Sequence, residues 1–484
     1  MEIEIREKYQ EVIGLEVHIQ LLTNTKAYSG DMNQYGSLPN TNVSVITLAH
    51  PGTLPRSNKK VLDFAIKLGL ACNCEITEFN HYDRKNYFYP DLPKGYQLTQ
   101  DATPICVGGF IPIVTKSGLK KNIKLTRIHM EEDAGKSMHL DGETETKVDL
   151  NRAGVPLLEI VTEPDIRSSE EAYAFVAEVR KLVRYLDICD GNMEEGSMRC
   201  DANISVMLKD AKAYGTRAEV KNMNSVRNVQ RAIEHEIERQ INRKEAGNEV
   251  VGETRLFDAA TGTTRSMRNK EALNDYRYFP EPDLQPVIVN QAWIERIKNE
   301  MPALPNQLVN KFINEYKLSE YDAAVLTDDK AIALYFEELC SLTTHYKAAT
   351  NWLMGPIKSY LNELTLSMSD FPLKASQIVE LIALVKEGKL SNSVANQKVF
   401  PALLDNPNSS ALALAEQMNL ILDSDEGEIE NLINEVLAAF PSKVEEYKNG
   451  KKGLLGMFVG QVMKKSGGKA DPKVINQLLA KKLG

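Results

Sequence analysis

Apolar and polar residues alternate along residues 12–21, which is the pattern of a β-strand with one buried face and one polar face. The polar face would carry Glu16, His18 and Gln20, because successive side chains of a strand point to opposite sides. A strand rises about 3.3 Å per residue, so Glu16 and His18 would lie about 7 Å apart on the same side. The pattern therefore predicts a carboxylate and an imidazole next to each other on one sheet face.

Three other segments also place acidic residues on one face of a predicted strand. These residues are Glu159 and Glu163 in segment 157–163, Asp201 in segment 199–206, and Glu131, Glu132 and Asp133 in segment 129–133. If the four strands are neighbours, their carboxylates and the imidazole would surround a single spot, which suits a hard divalent cation and the phosphates that it binds. The alternative is a sheet face that is acidic only because it faces water.

Two helices stand out among the strands of residues 1–295. One runs over residues 170–186 with Ser168 or Ser169 as its N-cap, and the other runs over residues 225–242. Strands mixed with isolated helices predict an α+β fold, because a parallel α/β sheet would need regular alternation of the two.

Helical periodicity dominates after Trp293, and residues 406–410 form a polar break that is typical of a linker. The sequence therefore predicts three domains, at residues 1–295, 296–405 and 406–484. From Pro441 onward the chain has ten lysines and three acidic residues, a local charge of +7. A basic turn at residues 464–469 precedes a final helix that begins at Asp471-Pro472. This tail is either a solvated surface or a contact for a phosphate backbone.

The composition narrows the class of protein. The chain has 484 residues, 43% of them hydrophobic, and a formal net charge of −9, which argues against a protein coated with nucleic acid but allows a local basic site. It has no apolar run of about 20 residues and no apolar segment after its acidic start, so we expect a cytoplasmic protein without a membrane span. Six cysteines include one close pair, Cys72 and Cys74, which favours reduced thiols over a zinc site.

Cationic residues near the acidic strands are candidates for binding phosphate. Arg84 and Lys85 lie in an aromatic-rich segment, residues 83–91, that has a similar counterpart at residues 275–283. Each segment is alternatively a packed aromatic loop with a salt bridge. Lys221 shares a predicted strand face with Glu219. The sequence has no P-loop, no GxGxxG after a strand and no GxSxG elbow, so any nucleotide would be held through acidic metal ligands.

Together these segments resemble the B subunit of the bacterial glutamyl/aspartyl-tRNA amidotransferases, and the resemblance covers essentially the whole chain. The motifs that carry it are GLEVH at 14–18, DRKNYFYP at 83–90, HMEEDAGK at 129–136, VDLNRAGVPLLEI at 148–160, GSMRCDAN at 196–203, DYRYFPEP at 275–282 and TNWLMG at 350–355.

The resemblance implies a ligase that uses ATP and Mg2+ to phosphorylate the side-chain carboxylate of misacylated Glu-tRNA(Gln) or Asp-tRNA(Asn). Ammonia then displaces the phosphate and leaves the amide. In this family the amidase, or A subunit, supplies ammonia from glutamine, and a small C subunit joins the other two. The resemblance also implies a first domain that forms a cradle with an antiparallel sheet like the glutamine synthetase catalytic fold. The tail would be a YqeY-like, tRNA-binding helical domain.

The resemblance also assigns residues. The metal ligands would be Glu16, His18, Glu132 and Glu159, with Glu131 as the alternative to Glu132. Asp201 and Glu219 are weaker candidates, for an outer position or a second ion. Arg84, Lys85 and Lys221 would face ATP phosphate or the activated carboxylate. Two other functions remain open: a tRNA adaptor without catalysis, and a free-standing ligase for a small acid, against which the basic tail argues.

Overall fold

The computed structural model describes residues 3–139, 142, 144–269, 276–422, 426–466 and 470–484. The chain divides into two compact units, residues 1–305 and 306–484. The first unit holds the strands and the second consists of helices, so the predicted α+β class is confirmed. Parts of two predicted segments, Asp275 and residues 467–469 of the basic turn, lie outside the described residues.

The described residues form seventeen β-strands, all of them in the first unit. In chain order they are β1 Tyr9–Gln20, β2 Glu75–Ile76, β3 Phe79–Asn80, β4 Asp83–Asn86, β5 Tyr96–Thr99, β6 Cys106–Val107, β7 Phe110–Val114, β8 Lys120–Glu132, β9 Lys136–His139, β10 Thr146–Asp149, β11 Pro156–Thr162, β12 Met198–Leu208, β13 Ala218–Met223, β14 Glu253–Asp258, β15 Thr263–Asn269, β16 Phe279–Pro280 and β17 Val287–Ile288.

The described residues also form eighteen α-helices. They are α1 Ile3–Arg6, α2 Lys59–Ala71, α3 Ser169–Tyr185, α4 Val226–Glu245, α5 Gln291–Asn299, α6 Pro305–Asn314, α7 Glu320–Leu326, α8 Lys330–Leu342, α9 Tyr346–Trp352, α10 Lys358–Glu363, α11 Ala375–Lys386, α12 Asn392–Val394, α13 Phe400–Asp405, α14 Ala411–Gln417, α15 Glu426–Ala439, α16 Pro441–Lys448, α17 Leu455–Lys465 and α18 Pro472–Leu483. Among the described helices we find none with the length and apolarity that a bilayer crossing requires.

A large, mostly antiparallel sheet organises the first unit. Its strand order is β15-β14-β13-β12-β1-β11-β8-β6-β2, with β7 also paired to β8 and β13–β14 as a parallel pair. A separate three-stranded sheet joins β16, β4 and β5. The strands that carry the acidic motifs, β12, β1, β11 and β8, are therefore consecutive neighbours, which is the condition stated above for a shared site.

Helices cover one face of this large sheet. Helix α2 packs on β8, α3 on β7, and α4 on β12 and β13. The two predicted helices are confirmed: Ser168 caps α3 by accepting from the Glu171 amide, and Ser225 caps α4 by accepting from the Asn228 amide. Alternate residues of β1, from Ile13 to Ile19, are buried in the core beneath these helices. The polar residues of the same strands consequently face the other side.

The second unit is entirely helical. Helices α15 to α18 have a hydrophobic core of their own, which includes Ile433, Phe458, Val462, Ile475 and Leu479. The final helix begins as expected, because Asp471 accepts a hydrogen bond from the Lys473 amide and Pro472 follows it. The observed boundary between the units lies within ten residues of the predicted one at 295, whereas the further division near residue 406 stays a prediction.

Candidate active site

Strand register places the predicted residues on one face of the large sheet. In the pairing of β1 with β11, His18 lies opposite Glu159, and in the pairing of β11 with β8, Glu159 lies opposite His129. On the other side of β1, Glu16 lies opposite Asp201 of β12. Residues directly opposite each other on antiparallel strands have their side chains on the same face. The site therefore spans four strands.

Three side chains converge closely enough to hold one metal ion. Ligand atoms of His18, Glu131 and Glu159 all lie within 4.8 Å of one another, and this is the only such group of three or more among the described residues. His18 Nε2 lies 3.3 Å from Glu159 Oε2. One imidazole and two carboxylates form a donor set that fits Mg2+ or Mn2+, because carboxylate oxygens are the preferred ligands of hard divalent cations.

His129 is a site residue that the sequence analysis did not assign. It is almost fully buried, and its Nε2 lies 3.3 Å from Glu159 Oε2 and 3.4 Å from Glu131 Oε1. Burial alone would lower the pKa of His129, but hydrogen bonds to Glu131 and Glu159 raise it to about 9. His18 and His129 in turn hold the pKa of the Glu159 carboxyl well below its usual range, in spite of burial. His129 therefore holds the two carboxylates together.

The preference for Glu132 over Glu131 as a metal ligand is not supported by the geometry. Ile128 and Met130 are buried in the core, so alternation along β8 turns His129 and Glu131 to the site. Glu132 lies on the other face, where it forms an ion pair with Lys94 and accepts a hydrogen bond from the Leu98 amide at 2.9 Å. The apolar residues at 128 and 130 agree with this placement, but the sequence analysis left the choice between Glu131 and Glu132 open.

The hairpin of β4 and β5 holds Glu131 in place. Gln97 Nε2 and Thr99 Oγ1 donate to the two carboxylate oxygens of Glu131 at 3.2 and 3.0 Å. Lys85 lies directly opposite Gln97 in this hairpin and therefore shares its face. Burial opposes the charge of Lys85, but the negative charges of Glu131 and Glu159 outweigh it and raise the Lys85 pKa. The structure thus brings Lys85 close to the carboxylates, and its role towards ATP phosphate stays a prediction.

Arg84 does not join this group, contrary to its predicted role. Its Nε and Nη2 donate to the two carboxylate oxygens of Glu281 at 2.7 and 2.9 Å, and the Glu281 side chain is fully buried. The guanidinium also lies 4.1 Å from the Tyr96 ring centroid. Arg84 alternates with Lys85 along β4, so the two side chains point to opposite faces. The packed loop with a salt bridge is the interpretation that fits Arg84.

A second cluster of charged residues lies beside the first. Lys221 Nζ lies 2.7 Å from Asp201 Oδ2 and 3.0 Å from Glu219 Oε1. These two charges raise the pKa of Lys221 against the effect of burial. Burial, together with the charges of Glu159, Asp201 and Glu219, raises the pKa of Glu16. Glu16 is therefore influenced by the charges of both clusters.

Known proteins are similar to this chain over almost its whole length. Residues 11–295 match the family model described as the GatB/GatE catalytic domain, and residues 334–483 match the one described as the GatB domain. The B subunit of the aspartyl/glutamyl-tRNA(Asn/Gln) amidotransferase of Trichlorobacter lovleyi is 51% identical over 476 residues, which are 98% of this chain and 99% of that protein. Proteins of the same name from Thermosynechococcus vestitus and Thermodesulfovibrio yellowstonii are 50% and 47% identical, over 98% of this chain and 96% and 99% of theirs.

The chain belongs to the amidotransferase B-subunit family. The family resemblance stated from the sequence motifs is thereby confirmed. All the candidate metal ligands named from the sequence lie within the segment that matches the family's catalytic domain, as do the cations Arg84, Lys85 and Lys221. These candidates are Glu16, His18, Glu131, Glu132, Glu159, Asp201 and Glu219.

A cavity of about 250 Å³ adjoins Glu16 on the side away from the metal cluster. The residues that line it include Glu16, Asn203, Tyr214 and Arg217. Asn203 Nδ2 donates to Glu16 Oε1 at 2.9 Å, which fixes the carboxylate at the cavity edge. A flat ligand in this cavity would therefore lie within reach of the charged clusters.

The close cysteine pair of this B-subunit family member behaves as buried thiols. Burial raises the pKa of Cys74 to about 12, and the Cys74 thiol donates to the Gly108 carbonyl at 3.0 Å. Burial also raises the pKa of Cys72. Protonated thiols of this kind are poor metal ligands, because the thiolate is the form that binds zinc.

Proposed function

We propose that this chain is the activating subunit of a glutamine-dependent tRNA amidotransferase. It would transfer the γ-phosphoryl group of ATP to the side-chain carboxylate of misacylated Glu-tRNA(Gln) or Asp-tRNA(Asn), releasing ADP. Ammonia would then attack the acyl phosphate, form the amide and release phosphate. The observation that carries the proposal is the convergence of His18, Glu131 and Glu159 beside Lys85, in a chain of this family.

His18, Glu131 and Glu159 would hold the divalent cation in this reaction. The bound ion would supply charge to bridge and neutralise phosphate oxygens. Glu16 lies between this cluster and the Asp201–Glu219 pair, and its raised pKa reflects its burial and then the negative charge around it. We assign Glu16, Asp201 and Glu219 to outer positions of the same cation site or to a second ion.

ATP would lie across the sheet face, with its base in the cavity beside Glu16. This cavity is lined by Tyr214 and Arg217, an aromatic ring and a cation that suit a purine and its phosphates. From there the phosphates would extend towards the carboxylates, where Lys221 and Lys85 carry positive charge. Two lysines at these places stabilise the charge on a transferring phosphoryl group.

Partner subunits would supply the ammonia and complete the complex. We propose that the amidase, as the A subunit, releases ammonia from glutamine, that a small C subunit joins the complex, and that the reaction takes place in the cytoplasm. The antiparallel strands that carry the ligands support a cradle with a glutamine synthetase-like catalytic fold.

Phosphate release from ATP by the complete three-subunit complex tests this function. We expect release to require both Mg2+ and misacylated tRNA, and to be lost in Glu131→Gln, whereas uncharged tRNA should not support it. Glu163→Gln is the matched control, because Glu163 lies just beyond the end of β11 and its side chain accepts a hydrogen bond from Thr126 Oγ1 at 2.9 Å. Phosphate release that is independent of tRNA, or unchanged in Glu131→Gln, would make the chain an adaptor and reject the proposal.

The basic tail is the proposed contact for the tRNA backbone. Lys473 and Lys481 are exposed on α18, the final helix of the tail core. We expect Lys473→Gln/Lys481→Gln to weaken tRNA binding and to reduce the slope of log affinity against log salt by roughly 1 to 2, since each lost phosphate contact removes about 0.7–0.9. Titrations at several salt concentrations measure this slope. The control pair Lys209→Gln/Lys212→Gln, exposed in the first unit, should keep it, and an equal change in both pairs would exclude the tail.

A further inference from the structure

Strand β13 contains a β-bulge beside the charged clusters. Val220 and Met223 pair with residues of β12 that are only two positions apart, Ala202 and Cys200. β13 therefore has one residue more than β12 in this interval, which is the definition of a bulge. Asn222 lies in the bulge and has a left-handed backbone conformation, with φ of 70°.

The bulge shifts the alternation of β13 between Lys221 and Met223. Val220 and Met223 are both buried in the core although they are three positions apart, a spacing that regular alternation does not allow. The extra residue is taken up at Asn222, which is exposed. Val220 and Met223 can then both stay in the core, and Lys221 keeps the face that it shares with Glu219, from which it reaches the carboxylates.

Asparagine is suited to this position for two reasons. Glycine and asparagine tolerate left-handed backbone conformations better than other residues do. In addition, the Asn222 side chain donates from Nδ2 to the Phe257 carbonyl of β14 at 3.1 Å. This bond joins the bulge to the strand on its other side, where Lys221 itself pairs with Leu256.

We propose that Asn222 is the positioning residue for Lys221. Its left-handed conformation maintains the bulge, and the bulge aims the Lys221 ammonium at Asp201 and Glu219, 2.7 and 3.0 Å away. The role of Lys221 towards phosphate rests on the proposed function. Asn222 itself acts only through Lys221, because its own polar side chain is directed to the Phe257 carbonyl.

Two substitutions separate the backbone conformation from the side chain. Asn222→Gly keeps the positive φ and loses the bond to Phe257, whereas Asn222→Ala loses both. In the complete complex we expect Asn222→Ala to lower kcat for tRNA-dependent phosphate release about tenfold, with KM for misacylated tRNA unchanged. Asn222→Gly should stay within about twofold of the natural chain. Equal losses in the two variants would overturn the proposal.

A control substitution at Asn73 and a double substitution that includes Lys221 test whether Asn222 acts through Lys221. Asn73, with φ of 57°, is exposed at the end of α2, so Asn73→Ala introduces comparable backbone strain elsewhere in the same unit and should leave kcat unchanged. When Lys221→Met is also present, the difference between Asn222→Ala and Asn222→Gly should vanish. A difference that persists in this background would assign Asn222 a role independent of Lys221 and overturn the inference.

The proposed function can fail separately from this inference. Full phosphate release in Lys221→Met would overturn the positioning role, because there would be no lysine function for Asn222 to support. The proposed function itself falls if phosphate release is independent of tRNA, or if the loss of a metal ligand, as in Glu131→Gln, leaves tRNA-dependent release unchanged.

Discussion

Glu159→Gln is expected to abolish divalent cation binding at the cluster and tRNA-dependent phosphate release with it. Glu159 Oε2 is contacted by both His18 Nε2 and His129 Nε2, each at 3.3 Å, so this carboxylate is the centre of the cluster. Glutamine has nearly the same shape but no charge, and it cannot replace a carboxylate ligand. We expect the Kd for Mn2+, measured by electron paramagnetic resonance, to rise about a hundredfold or more.

Substitution of His129 is the control for Glu159→Gln within the same site. His129→Gln should weaken Mn2+ binding less than Glu159→Gln, because His129 acts through the carboxylates Glu131 and Glu159. The loss should fall within about 10- to 100-fold, as is typical of residues that orient metal ligands. Unchanged Mn2+ binding in Glu159→Gln would show that the acidic cluster is a structural feature of the sheet.

Lys85→Met is expected to lower kcat for phosphate release by about a hundredfold, because it removes the cation that lies next to Glu131 and Glu159. The neighbouring Arg84→Met should behave in the opposite way. It leaves the buried Glu281 carboxylate without its partner, so it should lower the free energy of unfolding by about 3 kcal/mol.

Lys85 and Arg84 are therefore tested by two different measurements. Phosphate release reports on Lys85, and thermal or urea unfolding of the complex reports on Arg84. Pairing Arg84→Met with Glu281→Met should restore part of the lost stability, since no buried charge then remains unpaired. If Arg84→Met lowered kcat for phosphate release and left the free energy of unfolding unchanged, Arg84 would be a phosphate-binding residue as first predicted.

Local features of the fold were predictable from the sequence because they depend on nearby residues. Alternation placed Glu16 and His18 on one face of β1, and a capping serine located the start of α3. Each of these features follows from a repeat of two or 3.6 residues and from hydrogen bonds within one turn. The charge excess of the tail also follows directly from composition.

The site residues were less predictable, because they depend on strand register. Alternation by itself left Glu131 and Glu132 as alternatives, and the pairing of β8 with β11 places His129 opposite Glu159 and thus Glu131 on the site face. The bulge at Asn222 breaks the alternation of β13, so no periodic pattern predicts its effect. The partner of Arg84, Glu281, lies 197 residues away in sequence, so no local pattern predicts their ion pair.

The sequence alone determined the family, the α+β class and the faces of individual strands and helices, because long motifs and short-range periodicity are properties of the chain itself. Only the tertiary structure decided which charged residues meet. Which strands pair, in what register, and where a bulge shifts that register are set by packing between distant segments. That packing brought His18, Glu131 and Glu159 together with His129, and it directed Arg84 away from them.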